Sequence, residues 1–222
     1  MFEFQFIYFI RERFVDTAPE KIFPLITAFD NKFLPSYADE ITPNGVQKVI
    51  RIVGLNEFDN VSVLFSSETV NINILCRSTR PTNEELIEKL DFITTALRKI
   101  KPEVRAWRLA SIVTLIRRTT NEFNTQMYNK FFKGDNPEEF FEWNTRRAAR
   151  RQHGEETLNV ISTVTRGPVM NAGNPNENFD AIVTQLDVNT VVEKSADRFS
   201  ITTELSSQLL DIASDNVERL LG

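Results

Sequence analysis

Cysteine and histidine each occur once in this 222-residue chain. A lone cysteine excludes an internal disulfide framework and any zinc site built on several thiolates. Cys76 lies in an apolar stretch, where free cysteine behaves as a small hydrophobe. A reducing, cytoplasmic setting fits that usage. Any Ser-His-Asp or Cys-His constellation would have to use His153. That residue follows an arginine run and precedes Gly154, which reads as a helix C-terminus where an imidazolium favours the dipole. The six-residue spacing from Arg147 to His153 is similar to an Arg/His pairing in small all-helical ribonucleases, but this chain is rich in strand sequence.

Glycine is scarce too, at seven residues. Neither a GxxxxGK[ST] loop nor a GxGxxG fingerprint is present, which excludes the usual nucleotide-phosphate cradles. There is no EF-hand loop and no cluster with metal-ligand spacing, so neither a metal nor a cofactor is expected. Asp180 and Asp187 are seven apart on one strand, hence on opposite faces, and make no acid/base pair. No run approaches the roughly 20 apolar residues of a membrane-spanning helix. The opening Met-Phe-Glu-Phe-Gln-Phe lacks a basic segment and alternates, so it is expected to be a strand and not a signal peptide.

Eighteen phenylalanines supply much of the core volume. Phe2, Phe4 and Phe6 share one strand face, while Ile7 and Phe9 predict burial on both sides further along. Pro19 opens helical sequence over Glu20–Leu34, with Ile22, Phe23, Ile26, Phe29 and Phe33 in step. Pro35 and Pro43 then predict breaks before a strand at Val46–Val53. Val61–Arg77 alternates as a hairpin turning near Ser66 and Ser67, with Asn71 and Asn73 on its polar side. Thr82 and Glu85 form a capping-box pair, and Leu86, Leu90, Ile93, Leu97 and Ile100 stripe the helix that follows.

After Pro102 the sequence repeats the theme. Val104–Arg118 reads as a strand and Thr119–Phe132 as a helix. Gly134-Asp135-Asn136-Pro137 marks a turn, and Pro137-Glu138-Glu139 predicts a second helix ending in Arg146-Arg147-Ala148-Ala149-Arg150-Arg151. Strands are expected at Thr157–Arg166 and Phe179–Thr190. The Gly167–Asn178 segment between them reads as a long loop, either functional or merely a connection. Thr203–Leu221 closes the chain as an amphipathic helix. The fold expected is α+β. It has two related strand-helix-strands-helix halves, 1–102 and 103–222, sharing a mostly antiparallel sheet and one core beneath helices.

Between Arg98 and Arg151 there are 13 Lys/Arg and 6 Asp/Glu, against 13 and 25 in the rest of the chain. The middle is thus basic within a chain of net charge −5. Arg146, Arg147, Arg150 and Arg151 are its sharpest element. On the expected helix they pair at i and i+4. Arginine forks match phosphate, which points to a nucleic-acid contact joined by Arg117, Arg118, Lys130 and Lys133. They also match carboxylates, of this chain or a second copy, with Asp211, Asp215 and Glu218 as partners. Phe140, Phe141 and Trp143 stack on bases in the first reading and pack into the core in the second.

The Arg108–Asn121 segment, the strand ending Leu186-Asp187-Val188-Asn189-Thr190 and the closing helix after Phe199 resemble an uncharacterised, sporadically distributed family of bacterial proteins of about this size. The resemblance implies no catalytic residue, since that family has no settled activity. The leading expectation is a non-enzymatic protein-binding or assembly protein that self-associates or binds a protein partner. Nucleic-acid binding through Arg146–Arg151 is the alternative, and an enzyme with a scattered carboxylate/arginine site a third.

Overall fold

Alternation in Phe2–Phe9 produces the central strand, β1, with Phe4, Phe6 and Tyr8 wholly buried on one face. The computed structural model describes residues 1–222 except 133–136, 172–173, 194–195 and 222, and not the side chains of 171, 174–177, 218 and 221. The first half continues through α1 (Pro19–Ala28), β2 (Phe33–Thr42), β3 (Gly45–Gly54), β4 (Val61–Phe65), β5 (Thr69–Cys76) and α2 (Asn83–Ile100). The second runs through β6 (Arg105–Ala106), β7 (Arg108–Arg118), α3 (Asn121–Phe131), β8 (Trp143–His153), β9 (Glu156–Asn171), β10 (Asn174–Thr190), β11 (Phe199–Ser200) and α4 (Thr203–Leu221). The protein is an α+β fold with a mostly antiparallel sheet.

Nine strands form one sheet in the order β2-β3-β4-β5-β1-β7-β10-β9-β8. Its centre is the antiparallel pair of β1 and β7, with Phe4 opposite Val113 and Phe6 opposite Ser111. Every adjacent pair is antiparallel. β6 and β11 make a separate two-stranded pair. The edges are β2 and β8, one from each end of the sheet.

All four helices among the described residues lie on the face carrying Phe4, Phe6 and Tyr8. Leu86, Leu90, Ile93 and Leu97 of α2 and Leu209, Leu210 and Ala213 of α4 are buried in the same cluster as those side chains. Tyr8 Oη donates to Thr202 O at 2.8 Å, and Ser206 Oγ donates to Tyr8 Oη at 3.0 Å, so the start of α4 is tied to β1. Burial pushes the Tyr8 hydroxyl well above the usual tyrosine range, partly offset by that Ser206 bond. Toward β8, α3 packs Phe123, Met127 and Tyr128 against Trp143, Val164 and Ile182. The register places those three strand residues on the same face. The opposite face shows half-buried Ile7, Ile112, Ile161 and Val183 among polar neighbours, as antiparallel sheets with one solvated face do.

Several expectations are met. Thr82 and Glu85 form the reciprocal capping box of α2, with the Leu86–Leu97 stripe buried. Ser66 N donates to Thr69 O at 2.9 Å in the hairpin between β4 and β5. Asn71 and Asn73 do face away from the buried isoleucines. One is not met: Ile7 and Phe9 predict burial on both sides of β1, but both are half-buried, so β1 is covered fully on one side alone.

Other expectations are corrected. The helix over Glu20–Leu34 ends at Ala28, and Phe33–Leu34 belong to β2. Helical spacing carried Phe29 and Phe33 because both reach one aromatic cluster, their rings 5.0 Å apart. Pro35 does not break the chain but sits in β2, an edge strand, where a missing donor is tolerated. The Gly167–Asn178 segment is largely paired strand, continuing β9 and β10 with a register shift between Asn174 and Asn178. Pro137–Glu139 makes a single 3-10 turn. The expected helix ending at Arg151 is the edge strand β8. The expected Gly134–Asn136 turn lies outside the described residues.

Candidate interaction surfaces

β8 exists because β9 needs a partner for its outer backbone groups. Gly154, at φ +56°, opens the two-residue turn that returns His153 to face Glu156. A left-handed first turn residue is what a tight hairpin of this kind favours, and glycine adopts it freely. Pairing then continues to Trp143 opposite Arg166. Trp143 anchors the far end: it is buried, and its Nε1 donates to Asn124 Oδ1 at 3.0 Å.

The strand separates the four arginines differently from a helix. Side chains alternate between faces, so Arg147 and Arg151 share the helix-covered face, while Arg146 and Arg150 share the uncovered one. All four are exposed. Arg150 Nη2 contacts Glu193 Oε1 at 2.5 Å, with both side chains more than half exposed. The Glu193 carboxyl is held below its usual range, first by a backbone hydrogen bond and then by Arg150. Arg147 lies 5.6 Å from the centre of the Phe131 ring. Arg146 and Arg151 have no ion-pair partner among the described residues. On the acidic last helix, Asp211 accepts from Asn83, and the Glu218 side chain lies outside the described residues.

The other candidate basic residues do not converge on one point. Arg117 stacks over Phe123 at 4.1 Å on the helix side, and Arg118 over Phe179 at 4.4 Å on the open side. Lys130 Nζ donates to Arg219 O at 3.2 Å, and Lys133 lies outside the described residues. Arg118, Arg146 and Arg150 thus share the uncovered face, where the helix reading would have kept all four β8 arginines together. His153 ends a strand and not a helix, and its Nε2 lies 2.8 Å from Gln208 Oε1. Asp180 and Asp187 do occupy opposite faces, and Asp180 pairs with Arg166 at 2.9 Å.

Trp143 packs into the core as one reading had it. Phe141 does not: it is 77% exposed. Phe140 stacks on Tyr128 at 5.7 Å, and its carbonyl accepts from Arg166 Nη1 at 2.9 Å, so the aromatic pair is held at the entrance to β8. At the opposite end of the sheet Ile41 is 87% and Val46 68% exposed, flanking the β2–β3 turn, and Leu34 and Tyr37 are exposed on β2. Sequence reading missed this edge because Pro35, inside β2, read as a break.

An open cleft of about 1460 Å³ wraps the end of β3, β4 and β5, lined by Arg51, Ser62, Asn73, Cys76, Arg80 and Lys89 among others. Apart from Glu3, its lining falls within residues 51–89, where strand ends, a turn and the start of α2 are brought together by the fold. Lys89 Nζ bonds Glu57 O and, at 3.1 Å, Asn60 Oδ1, and lies 5.1 Å from the Phe58 ring centre. Asn60 Nδ2 points to Cys76 Sγ at 3.5 Å. Burial raises the thiol above its ordinary range, more than Asn60 and Lys89 lower it. A thiol so held is a poor nucleophile. Cys76 is therefore expected to react with iodoacetamide several-fold more slowly than glutathione at pH 8, gaining rate only at higher pH. A faster reaction, followed by mass spectrometry, would show an activated thiol.

No group of three His, Cys, Asp or Glu side chains able to hold a metal occurs among the described residues. No helix among them is long and apolar enough to cross a membrane. The chain matches no protein-family model, no curated protein and no solved structure.

Proposed function

We propose that the protein is a non-enzymatic assembly or protein-binding protein, acting in the cytoplasm through contacts with another protein or with further copies of itself. One observation carries this reading. Six of the ten large exposed apolar side chains among the described residues lie beside the two sheet edges: Leu34, Tyr37, Ile41 and Val46 at β2, Phe140 and Phe141 at β8; Met1, Phe23, Met170 and Val192 are the others. Apolar surface gathered beside unpaired strands is the physical signature of a protein contact. The two halves are read as a duplicated unit. In each, a central strand leads to a helix, then to a meander from the edge back to the centre, then to a covering helix. Membership of the sporadic bacterial family suggested by the Arg108–Asn121 segment is part of the same proposal.

A nucleic-acid reading has one observation in its favour. The guanidinium groups of Arg118, Arg146 and Arg150 lie on the uncovered face, along the β7–β8 part of the sheet. Phosphate contacts would make affinity fall steeply with salt, by about 0.9 in logarithmic slope per phosphate. Size-exclusion chromatography with light scattering, at low and high salt and with mixed DNA and RNA, separates the two. The expected result is a mass above one chain that nucleic acid leaves unchanged. A shift that requires nucleic acid and vanishes in salt would overturn the assembly reading.

A further inference from the structure

The two free edges of the sheet are unlike. β8 carries Arg146, Arg147, Arg150 and Arg151 and no acidic residue. On β2, Leu34, Tyr37 and Ile41 are exposed, and Val46 stands beside Ile41 on β3. Charge along an edge strand is a common protection against a second strand. β8 has that protection, because a symmetric β8 pair would set Arg146 against Arg150 or Arg147 against Arg151. β2 has only the adjacent acids Asp39 and Glu40 among apolar and small side chains. We infer that β2 of one copy of this chain pairs antiparallel with β2 of a second copy, joining two nine-stranded sheets across a twofold axis normal to the sheet. This rests on the assembly reading and names its partner and its surface.

Symmetry limits the register. A half-turn about an axis normal to the sheet reverses the strand direction and leaves each face on its own side. Both helix layers therefore stay on one side of the joined sheet. Opposed residues must then share a face, so one residue lies on the axis and meets its own copy. With Ala38 on the axis, Tyr37 meets Asp39, Ser36 meets Glu40, Pro35 meets Ile41 and Leu34 meets Thr42. An axis through Asp39 or Glu40 would set a carboxylate against its own copy, and like charges directly opposite are destabilising. An axis through Tyr37 would set Leu34 against Glu40.

The Ala38 register is complementary on both faces. On the helix-covered side Ile41, with Val46 beside it, lies against Pro35 of the second copy and diagonally against its Tyr37, and the symmetry repeats the contact. On the uncovered side Glu40 meets Ser36 of the second copy, and the next residue in that line, on β3 of the second copy, is Arg51. The two backbones are two strand spacings apart, about 10 Å, which a glutamate and an arginine span over a serine. Arg51 is exposed and has no ion-pair partner among the described residues. Existing contacts hold the acids away from each other. Asp39 meets Lys48 at 2.5 Å, and Glu40 accepts from Gln47 Nε2 at 2.7 Å and Ser67 N at 3.1 Å. Pro35 costs at most one backbone donor in each copy. Because the same patch serves on both sides, the contact is isologous and closes at two copies. The arginine-bearing β8 edges are left at the two outer ends.

The test uses the full chain in sedimentation velocity over a concentration series. The wild type is expected to pass from one copy to two as concentration rises and to go no further. Ile41→Lys alters a side chain that the fold leaves in solvent, with circular dichroism melting as the check on folding. It should dimerise roughly tenfold more weakly. Ala38→Cys gives a second measurement. Directly opposed antiparallel residues have Cα atoms about 4.5–5.5 Å apart, within disulfide reach. Mild oxidation should therefore link two copies of Ala38→Cys, and mass spectrometry should find the bond between the two new thiols. Tyr37→Cys, off the axis, should not link, nor should the wild type through Cys76. A dimer that Ile41→Lys leaves unchanged and Ala38→Cys does not link overturns the β2 pairing while leaving self-assembly intact. Masses beyond two copies overturn the closed pair. A single-chain mass at all concentrations overturns the pairing and self-assembly together.

Discussion

Phe4→Ala should lower stability by about 3–5 kcal/mol, the usual cost of emptying a buried phenylalanine site. Phe4 is fully buried and lies in the middle of the sheet, opposite Ile74 of β5 on one side and Val113 of β7 on the other. Its loss therefore weakens both halves at once. In a protein of this size each kcal/mol moves the melting temperature by about 2–4 °C, so a drop of roughly 10 °C is expected. Differential scanning calorimetry should show one transition in both proteins, with calorimetric and van't Hoff enthalpies in agreement. Two transitions, of which Phe4→Ala moves only one, would show that residues 1–102 and 103–222 unfold as separate units.

Gly54→Ala is expected to be damaging for a different reason. A Cβ at that position would lie 2.0 Å from Phe58 O and 2.6 Å from Phe58 Cβ. Two of the three nearest atoms belong to the backbone, so no side-chain rotation relieves the clash. The 3-10 turn Asn56–Phe58 would have to move away from the end of β3. Phe58 would then leave its ring contacts with Phe92 at 4.8 Å and Phe33 at 5.4 Å, along with the Lys32 and Lys89 ammonium groups over its face. Overpacking of this kind costs about 1–3 kcal/mol, and more where the backbone must shift. Denaturant unfolding followed by tryptophan fluorescence would measure it. A change below about 0.5 kcal/mol would mean that the turn accommodates a methyl group. Phe58 also lines the cleft, so the same substitution should make Cys76 easier to alkylate.

What was legible in the sequence was local. Phe2–Phe6 alternates, and one face of β1 is buried as that pattern requires. The Thr82–Glu85 box caps α2, and its leucine and isoleucine stripe lies in the core. Each signal reports a periodicity or a cap that neighbouring residues settle among themselves. The single cysteine and histidine and the missing phosphate-loop motifs bounded the chemistry in the same local way.

The errors fell where a long-range partner decided the outcome. Ala148 and Ala149 among arginines have good helix propensity, but propensity differences are only tenths of a kcal/mol per residue. The unpaired edge of β9 outweighs them, and a hairpin at Gly154 brings the arginines to it as a strand. Pro43 does mark a break, in the turn between β2 and β3, but Pro35 read as one because sequence does not reveal whether a strand will have a neighbour on both sides. β2 has one, so Pro35 is tolerated. Composition and spacing thus determined a phenylalanine-rich α+β chain with a basic middle. Only the tertiary structure placed Asp39 and Glu40 on one edge of the sheet and the four β8 arginines on the other, because strand order is set by contacts between residues far apart in the chain.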